Sequence, residues 1–406
     1  MDYKETISWL YNRLPFYQEQ GKSAYKKDLD NVLHFFLKNG KDYLKFKTIH
    51  VGGTNGKGSV SHMLSSILQQ KGLKVGLFTS PHLLDFRERV KVNGQTINKQ
   101  FINSFVDAYK QDFIEMRMSF FEMSVALAFR YFFKKKVDIA VIEVGLGGRL
   151  DATNVIEPEL SIITNVSRDH ANILGNSLRL ITKEKAGIIK NHTPIILGEP
   201  VKYQDIIVNQ SQELNSKLTY AKQYFYDSDL MGAIQKKNIN TCVTAISVLN
   251  DINYNISEKH IIQGLKNILL NTSFFGRWSI LMHKPLTICD VAHNFAAFKI
   301  LFNQLNSYKQ KKHIILGFSK DKDINQMVTC LPNNAHYYIC GSPNSRIMEP
   351  EKISPIFQAL NLTHSIFNTS YNAYQNIVRN KVENDLIMIT GSTFIVSDIL
   401  KYLDKV

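Results

Sequence analysis

Apolar residues recur along this chain with two periods, and the two alternate. Ile7, Leu10, Tyr11 and Leu14, then Leu29, Val32, Leu33 and Phe36, follow helical spacing over residues 2–40, and Pro15 interrupts them. The pattern predicts two helices around a loop from Pro15 to Ser23. Lys47–Val51 has the β-branched content of a short buried strand, and Met63, Leu64, Ile67 and Leu68 return to helical spacing after it. Further strands are predicted at Leu73–Thr79, from Val137 into Glu143, and at Leu160–Val166, with Pro194–Gly198 as the last apolar strand of the first series. Residues 96–136 predict two helices, the second from about Ser119 to Lys135, and Gly232–Leu249 predicts another. The pattern breaks at Asn271–Gly276 and a new series begins, with strands at Thr287–Cys289, His313–Gly317, Tyr337–Cys340 and Leu386–Thr390. Alternating strands and helices predict α/β units with parallel sheets.

Length sharpens this into two domains, because 406 residues exceed what one core usually serves. The expected division is 1–271, a linker at 272–276, and 277–406. At 44% hydrophobic and 21% charged the composition is that of an ordinary globular protein. No apolar run approaches the ~20 residues of a membrane span, and MDYKETISWLYNRL lacks an apolar signal core. Cys242, Cys289, Cys330 and Cys340 form no CxxC pair and stand in apolar surroundings, which predicts buried free thiols in a reducing cytoplasm. The net charge of +14 comes from scattered lysines such as Lys26, Lys27, Lys134, Lys135, Lys136, Lys236 and Lys237, without a basic stripe interleaved with aromatics. That pattern argues against nucleic acid and leaves an anionic small substrate open.

The chemistry is concentrated at the ends of the predicted strands. After Lys47–Val51 come Gly52, Gly53, Thr54, Asn55, Gly56, Lys57, Gly58 and Ser59. Glycines let backbone N–H groups approach an anion, the following helix adds its positive N-terminal end, and Lys57 and Ser59 add a point charge and a hydroxyl. The spacing departs from the ordinary P-loop: Val51 stands where a glycine is wanted, and Gly58 follows the lysine. Glu143 ends an apolar strand and is followed by Gly145, Gly147 and Gly148, so it is predicted to be a buried carboxylate needing a cation, and a divalent metal accompanying a nucleotide is the natural one. Ser80, Phe121 with Glu122, and His170 each have a plain structural reading beside a functional one: a turn hydroxyl, a core aromatic beside a first-turn acid, and a hydrogen-bonded histidine.

HVGGTNGKGS resembles the ATP loop of the Mur-type amide ligases, in particular the folylpolyglutamate synthase and dihydrofolate synthase branch. The resemblance continues through TSPHLLDFRERVKVNG, EVGLGGRLDATN, the Asp169-His170 pair with Leu174-Gly175, and Glu184-Lys185-Ala186-Gly187. It is looser in the second domain, where Phe275-Gly276-Arg277 and Asp290-Val291-Ala292-His293-Asn294-Phe295 replace the family's Pro-Gly-Arg and Asp-Gly-Ala-His-Asn-Pro. The resemblance implies a larger N-terminal P-loop ATPase domain and a smaller Rossmann-like C-terminal one. It implies ATP on Gly53, Thr54, Asn55, Gly56, Lys57, Gly58, Ser59, Asn238 (in Gln235-x-x-Asn238), Arg277 and Asp290. Two Mg²⁺ ions, or Mn²⁺, would be held by Ser59, Ser80, Glu143, His170 and a Lys185 carboxylated by carbon dioxide. Phe121, Glu122, Leu150, Asp151 and Ala152 would meet the substrate, and Lys57, Lys185, His170 and Arg277 would serve catalysis. The implied reaction joins L-glutamate to dihydropteroate or a reduced folate through an acyl phosphate, in a cytoplasmic monomer without nucleic acid or membrane partners. A peptidoglycan-precursor ligase, a P-loop kinase and a catalytically inactive relative are the alternatives.

Overall fold

The computed structural model describes residues 1–15, 28–41, 45–380 and 383–403. The loop expected at Pro15–Ser23 therefore lies, but for Pro15, outside the described residues. The chain forms two compact units. The first comprises Met1–Ser167, Ala171–Asp229 and Gln235–Phe274, and the second Arg168–His170, Leu230–Ile234 and Phe275–Val406.

The first unit is built on an eight-stranded sheet. Its strands are β1 (Lys47–Gly52), β2 (Val75–Phe78), β3 (Val90–Val92), β4 (Gln95–Thr96), β5 (Ile139–Glu143), β6 (Leu160–Ile163), β7 (Ile195–Leu197) and β8 (Leu218–Tyr220), in the order β4-β3-β2-β5-β1-β6-β7-β8. From β2 to β8 all pairings are parallel, while β3 and β4 run antiparallel at one edge. β1 lies between β5 and β6, so the chain leaves it in one direction and later returns on the other side. Such a switch point opens a crevice at the strand's carboxyl end, where open α/β sheets bind ligands.

Two layers bury this sheet. Phe78, Ala140 and Ile142 pack into a core with Phe35, Phe36, Phe113, Phe129 and Phe132 from the helices Asp30–Asn39, Lys99–Glu115 and Phe120–Lys135. The helix Lys57–Gln70 is buried continuously from Ser59 to Leu68, because it lies against β5 and also against the helices Gln235–Asp251 and Glu258–Lys266. Gly264 permits that second approach: a Cβ there would fall 2.6 Å from Ile67 Cα.

The second unit holds β9 (Ser279–His283), β10 (Leu286–Cys289), β11 (Lys312–Leu316), β12 (Ala335–Cys340), β13 (His364–Phe367) and β14 (Leu386–Thr390), in the order β13-β12-β11-β14-β10-β9. Only β9 is antiparallel. Its core gathers Phe298, Phe302, Phe318, Tyr337, Phe357 and Met388. The architecture is the one expected, a larger and a smaller α/β unit with mostly parallel sheets.

Four details differ from the sequence expectation. The first sheet does not end at Pro194–Gly198 but gains β8, a short, half-exposed edge strand with little apolar signal. β3 and β4 form a hairpin whose turn is Asn93–Gly94, both at positive φ (45° and 75°). β9 and β13 are edge strands too, with mixed burial. Of the four free cysteines three are buried as expected, but Cys330 is only half-buried.

Candidate active site

The glycine-rich loop is shaped at Gly53 and Gly56, with φ of 138° and 83°. Gly56 is the N-cap of the Lys57–Gln70 helix and provides no side-chain cap, so the first-turn N–H groups remain open donors. A Cβ on Gly56 would sit 2.4 Å from Asn238 Oδ1, and one on Gly53 would collide with the Thr164 hydroxyl. The loop is braced from β6: Thr164 Oγ1 donates to Asn55 O (2.7 Å), and Asn165 both accepts from Asn55 N and donates to Asn55 O (3.0 Å each). Thr54 Oγ1 accepts from Ser167 N (3.0 Å). Thr164 and Asn165 were not anticipated as site residues; the available signal is a Thr-Asn pair directly after a buried strand.

Two lysines converge on the loop. Lys57 Nζ donates to Gly53 O and Thr54 O (3.2 Å each), and the buried Lys185 Nζ donates to Gly53 O (2.7 Å). Lys185 comes from the helix Leu178–Ala186, which is held close because Arg149 N donates to Glu184 O (2.8 Å) and a Cβ on Gly148 would lie 2.7 Å from the same carbonyl. Glu143, at the end of β5, is 4% exposed. Its Oε2 accepts from Ser80 N (3.0 Å), and its Oε1 lies 3.6 Å from where a Gly58 Cβ would be. The buried Arg89 feels this carboxylate: burial pulls its guanidinium down to about 10, against the opposing fields of Tyr11, Glu88 and Glu143. The first unit thus gathers Gly53–Ser59, Ser80, Glu143, Lys185 and Asn238 around one loop.

The Gly145–Thr153 turn is differently occupied. Asp151 Oδ2 accepts from Leu146 N (2.8 Å) and Oδ1 from Thr153 N (3.0 Å) and the Thr153 hydroxyl. Burial raises its pKa despite these donors. Leu150 is half-buried and Ala152 buried. Glu122 Oε2 accepts from Ser119 N (2.6 Å), closing a capping box at the start of the Phe120–Lys135 helix. Phe121 reaches the turn, since a Cβ on Gly145 would lie 2.4 Å from its Cζ.

Arg277, Asp290 and His170 lie in the second unit. Asp290 accepts from Trp278 N (2.9 Å) and Ala292 N (2.8 Å); burial raises its pKa, with the Arg277 charge acting against it. Asp169 is an ionic hub. Lys322 Nζ lies 2.5 Å from its Oδ1, and His293 Nε2 and Asn294 Nδ2 lie 3.3 and 3.1 Å from Oδ2. Against the effect of burial, the charges of His170, His293 and Lys322 hold its carboxyl well below the usual range. Asp169, His170 and His293 bring one potential ligand atom each within 4.8 Å of one another. A metal there would have to displace the Lys322 ammonium from the shared carboxylate.

Comparison with known proteins bears directly on this geometry. The Mur ligase middle domain matches residues 51–268, and the glutamate ligase domain of Mur ligases matches residues 276–393. The chain belongs to the Mur ligase family. A dihydrofolate synthase/folylpolyglutamate synthase from Buchnera aphidicola subsp. Schizaphis graminum is 32% identical, covering 94% of each chain. A probable bifunctional folylpolyglutamate synthase/dihydropteroate synthase from Haloferax volcanii is 29% identical over 98% of this chain, which spans half of that longer protein. Among solved structures, E. coli FolC in complex with DHPP and ADP superimposes with a TM-score of 0.86 at 25% identity, covering 100% of this chain and 98% of that one. A bifunctional folylpolyglutamate synthase/dihydrofolate synthase with Mn, AMPPNP and L-glutamate bound gives a TM-score of 0.85 at 26% identity and the same coverage. Among the described residues of this Mur ligase family member, no helix is long and apolar enough to cross a membrane.

Proposed function

We propose that this chain is an ATP-dependent ligase that joins L-glutamate to dihydropteroate, to the glutamate tail of a reduced folate, or to both. The observation that carries the reading is the convergence of Lys57, Ser80, Glu143 and Lys185 on the Gly53–Ser59 loop at the switch point of the larger sheet. An uncapped helix N-terminus, a lysine and a buried carboxylate facing the loop are the groups that a nucleotide triphosphate and its metal require.

The acceptor's carboxylate oxygen attacks the γ-phosphorus, giving an acyl phosphate and ADP. The amine of L-glutamate then attacks that carbonyl, loses a proton and expels inorganic phosphate. Open N–H groups on Lys57, Gly58 and Ser59, with the Lys57 ammonium, stabilise charge on the transferred group. Asn238, whose Oδ1 lies against Gly56, would meet the nucleotide beside the loop. Ser59, Ser80 and Glu143 are oxygen donors and fit Mg²⁺ or Mn²⁺, which when bound would neutralise phosphate charge. A carboxylated Lys185 would add an anionic oxygen donor where the unmodified side chain donates to Gly53 O. His170, with Asp169 and His293, forms a mixed nitrogen and oxygen set better matched to Mn²⁺ than to Mg²⁺. Arg277 and Asp290 would serve the nucleotide, as the family resemblance implies. Phe121 and the Leu150–Ala152 stretch would meet the pteridine substrate. Three buried free thiols agree with a reducing, cytoplasmic setting.

Phosphate release from ATP plus L-glutamate tests the reading, run separately with dihydropteroate, tetrahydrofolate and a UDP-muramyl precursor. Stimulation by either pteridine is the expected result. Stimulation by the last alone would assign the chain to a peptidoglycan branch of the family, and none at all would leave a non-catalytic relative.

A further inference from the structure

His50 stands in β1, two positions before Gly52, with its ring fully buried. Its Nε2 lies 2.9 Å from Thr153 Oγ1. The Thr153 hydroxyl has one proton, and that proton goes to the Asp151 carboxylate. The hydroxyl oxygen must then accept from the imidazole, so Nε2 carries a proton, and burial, which pulls the ring's pKa down to about 3, keeps it neutral. Nδ1 is left as a buried acceptor with no partner among the described residues. Ile49 and Val51 flank it in the same strand, and an apolar residue at 50 would leave no polar atom unsatisfied. The imidazole therefore sits there at a cost to stability, and the bond to Thr153 is what it provides in return.

That bond begins a relay with three members. His50 donates to Thr153, Thr153 donates to Asp151, and Asp151 receives Leu146 N. One end is the strand that feeds the phosphate loop, and the other is the turn that packs on Phe121. We propose that His50 is a positioning residue, which through Thr153 and Asp151 sets the Gly145–Ala152 turn against the phosphate loop so that the acceptor carboxylate meets the γ-phosphorus in line. This rests on the ligase reading above. It goes further by assigning the alignment of the two substrates to a residue that touches neither, since displacements near 1 Å at a reacting centre cost about 10²-fold in rate.

The test compares His50→Gln, His50→Asn, Thr153→Val and the double variant His50→Asn/Thr153→Val. A glutamine amide nitrogen reaches approximately where imidazole Nε2 lies, whereas asparagine reproduces only the Nδ1 position. His50→Asn and Thr153→Val should each lower kcat/KM for the pteridine acceptor about 10- to 100-fold. ATP affinity, from direct nucleotide titration, should stay within about twofold. His50→Gln should recover most of the lost activity, and the double variant should be no worse than the worse single one. Equal damage from Gln and Asn in folded protein, additive losses, or ATP affinity falling in parallel would each overturn the proposal.

A readout independent of turnover accompanies these. In ¹⁵N-imidazole spectra the resonance lost in His50→Gln should be that of an Nε2-protonated neutral ring, and Thr153→Val should shift it. An Nδ1-protonated or charged ring would overturn the relay even if the ligase activity is present. A chain with the expected tautomer but no turnover on any acceptor would instead refute the ligase reading and, with it, the alignment role.

Discussion

Glu143 and Asp151 belong to one segment and are both buried, yet their oxygens face different things. Glu143 ends β5 and points toward the phosphate loop, with Oε2 on Ser80 N and Oε1 beside Gly58. Asp151 uses both oxygens on its own turn, on Leu146 and Thr153. The difference separates a carboxylate directed at the phosphate loop from one that braces its own turn. Glu122 resembles Asp151 in this respect, because it closes the capping box of its own helix. Of the acids that the family resemblance implies for substrate, both are thus held by backbone N–H groups of their own turn or helix, whereas Glu143 accepts from Ser80 N, 63 residues away in the chain.

The comparison is broken most forcefully at the loop that Glu143 faces. Lys57→Ala should reduce ATP-driven ligation by about 10³-fold or more while the far-ultraviolet circular dichroism is unchanged. Turnover close to that of the parent would remove the phosphate loop from the chemistry. Next come the two acids themselves. Glu143→Gln should cost about 10²-fold in kcat and shift the Mg²⁺ dependence to higher concentration with little change in Tm. Asp151→Asn should instead cost about 1–3 kcal/mol in urea-unfolding stability, with a metal dependence like that of the parent. Interchanged phenotypes would invert the assignment.

Lys185→Ala should lower activity less steeply than Lys57→Ala, and short carboxylic acids such as formate should restore part of it; an equally active variant that needs no rescue would count against carboxylation. The smallest expected effect concerns pH. Burial, with the Lys190 charge, pulls His50 down to about 3, so between about pH 6.5 and 3 the unfolded chain binds a proton that the folded one does not. Stability should therefore fall as pH falls through this window, by about 1.4 kcal/mol per pH unit from this residue. Urea titrations at pH 7 and 5 should show His50→Gln losing about 2 kcal/mol less than the parent over that interval.

The strands that were legible are those with continuous apolar runs. β1, β2, β5, β6, β7, β10, β11, β12 and β14 lie in sheet interiors or next to them, and burial on both faces leaves short, mostly apolar runs that the sequence pattern detects. β8, β9 and β13 escaped because each is an edge strand with mixed burial, and none has more than three consecutive apolar residues. The Asn93–Gly94 turn carried a hairpin signal, but its strands are only two and three residues long. At the site, Gly53–Ser59, Glu143 and Lys185 could be singled out because glycine density, a terminal carboxylate and a motif are local features. Thr164, Asn165 and His50 could not, because their importance comes from partners more than a hundred residues away in the chain.

By itself the sequence determined the two α/β series, the glycine loop with its lysine, and the acid at the end of β5. These follow from side-chain period, backbone freedom at glycine and the cost of burying charge, all of which act between neighbours in the chain. Tertiary structure alone decided which acids are committed to their own turns, that Lys185 reaches Gly53, and that His170 groups with Asp169 and His293 in the second unit. A hydrogen bond spends a particular lone pair on a particular donor, and which donor arrives depends on how distant segments pack.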